Sequence, residues 1–229
     1  MAYPENMPDR LHFCYQNAES RLAPTCRPSK IVCVGRNYVD HAKELGNPVP
    51  AEPLIFFKPI SSLIPTGVPI VYPAISESLS FEGELGVIIG QRTRNVRADE
   101  AESCIFGYTC VNDVTARDLQ KKDGQWSRAK GFDTFCPAGP WIVPSGEVDL
   151  KTIRIRTYVN GEKKQDAPVS DMIFPVARLI EHMSRFMTLE PGDLIATGTP
   201  SGVGPILPGD LVRVEIEGIG VLENPVVRE

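Results

Sequence analysis

Glycine and proline interrupt this chain so often that few long regular elements fit into it. The 19 glycines and 21 prolines make up about 17% of the chain, against a usual ~12%. Apolar segments are correspondingly short, as in Ile31–Gly35, Leu54–Lys58 and Leu85–Ile89. Because 42% of the 229 residues are hydrophobic, the chain can still bury a core. The pattern predicts an α+β protein, mostly β with short helices, and excludes both a helical bundle and a disordered chain.

Hydrophobic periodicity places individual elements along the chain. We predict strands over Ile31–Gly35, Leu54–Lys58, Phe81–Gly90, Ile105–Asp113, Thr152–Val159, Leu194–Ala196 and Leu211–Ile216. Asn160-Gly161 is the signal of a type I′ hairpin turn. We predict helices over Tyr38–Leu45, Val114–Lys121 and Pro175–Met187, a short helical segment around Asp99–Ser103, and a loop from Gln125 to Pro140.

Composition changes little along the chain, which predicts one domain over residues 30–229. Residues 1–29 are polar and broken by prolines, so we expect them to form an N-terminal extension. No apolar run approaches the ~20 residues of a membrane span, and the first 30 residues lack a signal-peptide core. We therefore expect no membrane partner and a cytoplasmic location. A net charge of −5 also disfavours nucleic acid as a partner.

The cysteines and histidines limit the kind of metal site that the chain can form. Its six cysteines show no C-x-x-C spacing, which favours reduced thiols over a zinc or redox site. Only three histidines are present: His12, His41 and His182. A metal site would therefore use mostly oxygen ligands, which favours Mg²⁺, Mn²⁺ or Ca²⁺.

Two glutamates open the apolar segment Leu85–Ile89, in the sequence Glu82-Gly83-Glu84. Residues two apart in a strand point to the same face, so these carboxylates would project together. Burying two like charges is unfavourable unless a cation offsets them, although two solvated carboxylates at a strand entrance would have the same spacing. Asp113 ends the next predicted strand and can turn back toward the same pocket.

Asp113, Arg117 and Gln120 have the spacing of one helix face. They would offer an acid for a metal, a guanidinium for a substrate carboxylate and an amide for orientation. The alternative is that Asp113 caps the helix and forms a local salt bridge with Arg117.

Three further features carry potential chemistry. His41 and Glu44 are three residues apart on a predicted helix, so the carboxylate can orient the imidazole for proton transfer, although a surface pair has the same spacing. Lys130 could stabilise a developing enolate or simply be solvated. The glycine-rich segment Thr197–Gly204 follows a strand without matching a nucleotide-binding motif, so it could hold a small carboxylate or be a structural turn.

Together these segments resemble the fumarylacetoacetate hydrolase superfamily over residues 30 to about 220. No single motif is specific, but six occur in the family's order, and the likeness is greatest to its short acylpyruvase and oxaloacetate decarboxylase/tautomerase branch. The matching segments are Val34-Gly35-Arg36-Asn37-Tyr38, Asp40-His41-Ala42-Lys43-Glu44, Phe81-Glu82-Gly83-Glu84-Leu85, Asn112-Asp113-Val114-Thr115-Ala116-Arg117-Asp118, Lys130-Gly131-Phe132-Asp133 and Thr197-Gly198-Thr199-Pro200.

The resemblance implies a mixed β-roll fold with short helices, a bound Mg²⁺ or Mn²⁺ and a homodimer. By position it implies that Glu82, Glu84 and Asp113 are metal ligands. It also implies a water-activating pair, His41 with Glu44, on a mobile lid, and an enolate-stabilising lysine, Lys130. The substrate's carboxylate and keto oxygens would be held by Arg117, Gln120 and Thr199.

From this pattern we expect a metal-dependent hydrolase that cleaves a C–C bond of an acylpyruvate and releases the enolate of pyruvate. The alternative reaction is decarboxylation or keto–enol tautomerisation of oxaloacetate, since both reactions need a chelated 2-oxo or β-keto acid and a proton-transfer group. A protein of another class, a catalytically silent metal-stabilised binding protein, is the third possibility. Fumarylacetoacetate itself is not the expected substrate, because Val34–Tyr38 contains no fourth metal carboxylate.

Overall fold

The computed structural model of the chain describes residues 28–44 and 48–229. Within these ranges the chain forms fifteen strands and four α-helices. The strands are β1 (Ile31–Gly35), β2 (Leu54–Lys58), β3 (Leu63–Ile64), β4 (Ile70–Tyr72), β5 (Leu79–Phe81), β6 (Gly83–Ile89), β7 (Ile105–Asn112), β8 (Thr115–Ala116), β9 (Cys136–Pro144), β10 (Arg154–Val159), β11 (Glu162–Pro168), β12 (Leu194–Ala196), β13 (Gly204–Ile206), β14 (Leu211–Ile216) and β15 (Gly220–Arg228). The helices are α1 (Val39–Glu44), α2 (Arg117–Asp123), α3 (Ser127–Lys130) and α4 (Val176–Phe186).

The strands form three sheets, of which two are mixed and the smallest is antiparallel. The largest has seven strands in the order β2-β1-β12-β6-β7-β9-β3, the second has five in the order β11-β10-β14-β15-β4, and the third is the small sheet β13-β5-β8. β1 lies parallel to β12, whereas β6 is antiparallel to both β12 and β7. The carboxyl ends of β1, β12 and β7 therefore meet the amino end of β6 at one edge of the large sheet.

The inner strands of the large sheet, such as β1 and β6, are buried on both faces, which explains why β1 is apolar throughout. Val32 and Val34 belong to the main core, which lies between the seven-stranded sheet, the five-stranded sheet and α4. Ile31 and Cys33 belong to a second cluster on the opposite face. Each strand that is covered on both sides needs apolar residues at successive positions instead of alternating ones. This double covering holds the edge of the sheet in a fixed place.

Most of the predicted elements are confirmed. β1, β2, β12 and β14 have the predicted bounds, β7 ends one residue earlier than predicted, and β10 begins two residues later. Asn160 and Gly161 have φ angles of 53° and 83° and connect β10 to β11, as a type I′ turn requires. In α4 the predicted apolar face is buried through Val176, Leu179, Ile180 and Met183. The mixed β architecture with short helices is therefore as predicted.

Three predictions about local structure were wrong. The predicted strand Phe81–Gly90 is interrupted at Glu82, because β5 pairs in the small sheet and β6 in the large one. The predicted helix Val114–Lys121 begins only at Arg117, because Thr115 and Ala116 pair with β5 as strand β8. The segment predicted as a loop from Gln125 to Pro140 contains α3 and the first residues of β9.

Several predictions fall partly outside the described residues. These are most of the N-terminal extension, the end of the first helix at Leu45, and the side chains of His12, Cys14 and Cys26. The other four cysteines (Cys33, Cys104, Cys110 and Cys136) are buried free thiols. Over residues 28–44 and 48–229, no helix combines the length and the apolar character needed to cross a bilayer.

Candidate active site

Three carboxylates, two at the start of β6 and one at the end of β7, converge at the edge of the large sheet. Glu82 lies between β5 and β6, Glu84 is the second residue of β6, and Asp113 directly follows β7. The pairing of Gly83 with Asn112 brings these segments together, and the Asp113 N–H donates to the Glu82 carbonyl at 2.9 Å. One carboxylate oxygen from each residue lies within 4.8 Å of the others. All three side chains are buried.

Three cations neutralise much of this negative charge. The Lys130 ammonium lies 2.8 Å from a Glu82 oxygen and 2.6 Å from an Asp113 oxygen. Lys58 donates to the other Asp113 oxygen at 2.5 Å, and Arg117 forms an ion pair with Glu82. Burial alone would raise the pKa of Glu82, but Arg117 and Lys130 hold that pKa below its ordinary value. Glu82 is therefore ionised in the folded protein.

Glu84 has a different environment from the other two acids. Its one hydrogen bond within the described part of the chain is from the Gly198 backbone N–H, at 2.8 Å. Burial, followed by the charges of Asp113 and Glu82, raises the pKa of Glu84 well above its ordinary value. A divalent cation between the three acids would offset the repulsion between their negative charges. Oxygen atoms in a buried, negatively charged cluster are the donors that Mg²⁺ and Mn²⁺ prefer, so the residues present fit such an ion.

A histidine and a glutamate lie next to the acidic cluster. His41 on α1 is 4% exposed, and its Nδ1 lies 3.4 Å from an oxygen of Glu44. Glu44 also accepts the Gly202 backbone N–H at 3.1 and 3.2 Å, which ties α1 to the glycine-rich segment. Burial lowers the pKa of His41 below its ordinary value of 6.5, although Glu82 and Glu44 act in the opposite direction. The imidazole is therefore neutral near pH 7 and able to accept a proton.

The segment Thr197–Gly204 fixes the backbone around the glutamates. The Thr199 hydroxyl donates to the Gly83 carbonyl at 2.9 Å, and Gly198 adopts a φ of 99°. A Cβ at Gly198 would lie 2.7 Å from Cβ of Asn37, so this close approach requires glycine. Because the Thr199 proton is used within the protein, its hydroxyl could only accept a hydrogen bond from a substrate.

A cavity of about 320 Å³ opens beside these groups. Seven of the nine predicted site residues line it: His41, Glu82, Glu84, Arg117, Gln120, Lys130 and Thr199. Asp113 is fully buried and does not line the cavity. Glu44 does not line it either, but it contacts His41, which does. The structure thus brings all nine predicted residues into one site, while their individual roles stay predictions.

The predicted arrangement of Asp113, Arg117 and Gln120 on one helix face was wrong. Asp113 precedes α2 and does not cap it, since the N-cap residue is Ala116. Arg117 pairs with Glu82 instead of Asp113 and donates to Gln120 at 3.0 Å. Arg117 and Gln120 line the cavity beside Glu82, whereas Asp113 is separated from the helix by strand β8 and is connected to Glu82 through Lys130.

Burial also excludes the alternative interpretations in which Lys130, His41 and the two glutamates are solvated. Lys130 ends α3 and is 2% exposed, so it is neither in a loop nor solvated. Burial alone would lower the pKa of Lys130, but Asp113 and Glu82 raise it above its ordinary value. His41 and the two glutamates of the E-x-E motif are likewise buried. The site is therefore an enclosed network of charges.

Two residues of this network escaped the sequence analysis. Lys58 ends the apolar strand β2 with a fully buried side chain, and a lysine directly after four apolar residues was the available signal. Gln165 on β11 accepts the Gly83 N–H at 3.0 Å and donates to Thr199 and the Pro200 carbonyl, both at 2.8 Å. Its strand is otherwise largely polar and exposed, so the sequence gives no signal for it.

Comparison with known proteins supports the family resemblance that the sequence motifs indicate. The sequence model of the family described as fumarylacetoacetate (FAA) hydrolase C-terminal matches residues 30–227. The chain is 45% identical to mitochondrial oxaloacetate tautomerase FAHD2A of Homo sapiens over 90% of this chain and 69% of that protein. The crystal structure of 2-hydroxyhepta-2,4-diene-1,7-dioate isomerase from Mycobacterium marinum superposes on this chain with a TM-score of 0.83. It is 52% identical and the match covers 91% of this chain and 78% of the other.

Proposed function

Because the chain belongs to the fumarylacetoacetate hydrolase family, we propose that it is a divalent-metal-dependent tautomerase of a small 2-oxo diacid of the oxaloacetate type. The observation that carries this proposal is the convergence of Glu82, Glu84 and Asp113 with a buried, neutral imidazole on one small cavity. The similarity to proteins named as a tautomerase and an isomerase supports proton transfer within the substrate as the reaction.

The three carboxylates would hold the metal ion, Mg²⁺ or Mn²⁺. When bound, such an ion acts as a Lewis acid toward the keto acid. The Arg117 guanidinium lines the cavity beside Glu82, where it can bind the substrate's carboxylate bidentately. Gln120, which accepts a hydrogen bond from Arg117, keeps that guanidinium oriented.

Proton transfer requires a base and a group that stabilises the developing negative charge. His41 would take a proton from the carbon next to the keto group, while the electrons of that C–H bond form the C=C bond of the enol. The imidazolium of His41 would then give this proton to the carbonyl oxygen, which becomes the enol hydroxyl, so atoms and charge balance and the neutral imidazole is restored. Loss of the enol follows the same path in reverse. Lys130, a buried ammonium at the cavity, would stabilise negative charge on that oxygen. Glu44 holds the imidazole in one orientation.

Hydrolysis of an acylpyruvate is the second candidate. The same His41–Glu44 pair could activate a water molecule instead of taking a carbon-bound proton, and the neutral state of the imidazole favours either role. This candidate differs from the first in its product, since it releases pyruvate and a carboxylic acid.

The two candidates are separated by one panel of assays. Purified protein is mixed with enol oxaloacetate, and loss of the enol absorbance is followed with Mg²⁺ or with a chelator. Acetylpyruvate and fumarylpyruvate are assayed in parallel for release of pyruvate. We expect metal-dependent enol loss far above the buffer rate, and its reduction in Glu82→Ala. Pyruvate release from acylpyruvates without enol acceleration would favour hydrolysis, and a rate unaffected by both metal and Glu82→Ala would contradict the metal assignment.

A further inference from the structure

An arginine that has no ion-pair partner among the described residues, Arg36, lines the same cavity. Lys130, Arg117 and Lys58 are each paired with a carboxylate of the acidic cluster. Within the described ranges, the guanidinium of Arg36 has neither a hydrogen-bond nor an ion-pair partner, although its residue is half-buried. A half-buried guanidinium without a partner is unfavourable, which points to a partner that arrives with the ligand.

The backbone holds Arg36 in an uncommon conformation. Its φ is 56°, in the left-handed region that costs a non-glycine residue of order 1 kcal/mol. Asn37 fixes the following peptide, since its side chain donates to the carbonyls of Thr197 and Phe174 at 2.8 and 3.1 Å and accepts the Phe174 N–H at 2.8 Å. On the other side, a Cβ at Gly35 would lie 2.9 Å from the Trp126 ring. The turn is thus locked on both sides of Arg36, as expected of a preorganised binding residue.

Arg36 also lies where two cavities adjoin. It lines both the cavity that contains the acidic cluster and an outer groove bordered by Phe57 and Trp126. A substrate whose inner end is held beside the carboxylates would extend toward this outer groove. The guanidinium is a bidentate carboxylate receptor.

We propose that Arg36 is a specificity-determining residue that binds the distal carboxylate of the substrate. This inference rests on the proposed function for the chemistry at the inner end, and adds a reason for selecting diacids over monoacids. A monoacid of the same length would leave the guanidinium without a partner. Lys121 also lines the cavity and has no carboxylate partner among the residues described, but it is exposed to solvent and therefore screened.

The test compares two ligands that differ only at the distal end, 2-oxopentanedioate and 2-oxopentanoate. Their dissociation constants are measured by titration calorimetry in the presence of Mg²⁺, without reliance on turnover. We expect wild-type protein to bind the diacid about 10- to 100-fold more tightly, the factor expected for one charge-assisted hydrogen-bonded pair. Arg36→Asn, which suits a left-handed backbone, should remove this preference and leave monoacid binding unchanged, whereas Arg36→Lys should restore part of it.

Controls separate specific recognition from general electrostatics and from misfolding. Arg92→Gln removes the same charge from a side chain that is 75% exposed and paired with Glu190, and should leave the preference intact. Thermal unfolding checks that the Arg36 variants fold. Three results would overturn the inference. The wild-type protein could bind the two ligands equally, or it could fail to bind the diacid. The preference for the diacid could also survive in Arg36→Asn and disappear in Lys121→Gln. If Arg36→Asn loses the preference for the diacid but the wild-type protein has no tautomerase activity, the proposed function is contradicted and the role of Arg36 in binding stands.

Discussion

At the scale of single residues, the site is governed by which charges have partners. Glu82 has two cations beside it, whereas Glu84 has only one backbone N–H within the described chain. Burial acts on both carboxyl groups, yet their pKa values move in opposite directions. A buried like-charge cluster persists only where something else offsets it, and a divalent cation is the ligand that we propose for this role.

His41 is the residue whose titration should be visible in the reaction. Because burial lowers its pKa below 6.5, the neutral base predominates above that value and is lost as the pH falls. We expect the rate of enol loss to rise with pH along an acid limb centred below 6.5. His41→Gln should reduce the rate about 10²- to 10⁴-fold and abolish that limb. The pH–rate profile measures both.

His182 provides the matched control for this variant. It lies on α4, where its ring contacts Phe186 edge to face, and it does not line the cavity. His182→Gln should leave the acid limb unchanged. A limb that is unaltered in His41→Gln would show that another group controls the pH dependence.

At the scale of elements, the site depends on strands that carry no catalytic group. Gln165 on β11 connects the backbone between the two glutamates to the segment after β12, through three hydrogen bonds that are buried. Gly83 itself lies against Thr157 of β10, since a Cβ there would be 2.0 Å from the Thr157 hydroxyl. The five-stranded sheet therefore supports the proposed metal ligands beside the seven-stranded one.

Gln165→Leu tests this support. It removes three hydrogen bonds and leaves the Gly83 N–H buried without an acceptor, so we expect a loss of about 2–4 kcal/mol in the free energy of unfolding. Urea denaturation measures this as a lower midpoint at an unchanged slope. The control is Glu162→Gln on the same strand, whose side chain is 73% exposed and which should change stability by less than about 0.5 kcal/mol. Equal stability of the two variants would contradict the supporting role.

Gly83→Ala tests the contact between the sheets. The added methyl group has no room beside Thr157, so the two sheets must separate locally. We expect a loss of stability of about 1–3 kcal/mol, typical of overpacking, together with weaker metal binding. Gly146→Ala is the comparison, because a Cβ there has no atom within 4 Å. Thermal unfolding of both variants would show the difference, and similar values would contradict the contact argument.

At the scale of the whole molecule, the proposed metal site would link metal binding to folding. Of the three proposed ligands, Glu84 lies on β6, Glu82 directly precedes β6 and Asp113 directly follows β7, so the site would exist only when the large sheet is formed. A ligand that binds only the folded state raises stability, by about 2.7 kcal/mol at 100 times its dissociation constant. The homodimer implied by the family resemblance stays a prediction, which light scattering would test.

Addition of Mn²⁺ or Mg²⁺ should therefore raise the melting temperature of the protein. For a chain of this size the expected increase is about 5–10 °C at saturating metal. Glu84→Gln removes the ligand with the least compensated charge, so it should melt at or above the metal-free wild-type temperature and gain little from metal. Scanning fluorimetry with chelator or metal measures both effects. An equal metal-induced increase in Glu84→Gln would exclude Glu84 as a ligand.

The local features of this protein follow from its amino-acid sequence. Short apolar runs with glycine and proline boundaries predicted β1, β2, β12 and β14 with their bounds, because strand formation there follows from adjacent residues. The order of six short motifs also pointed to the family and to the nine candidate site residues. These inferences hold because each depends on neighbours along the chain or on a pattern that the sequence displays directly.

How those residues come together depends on contacts between distant parts of the chain. The break at Glu82 and the late start of α2 arise because the chain passes between sheets there, and a partner strand distant in sequence overrides local helix or strand preference. The same applies to Lys58, Gln165 and the pairing of Arg117 with Glu82, since each partner comes from another part of the chain. Burial and the neighbouring charges set the pKa of His41, and both are properties of the assembled fold.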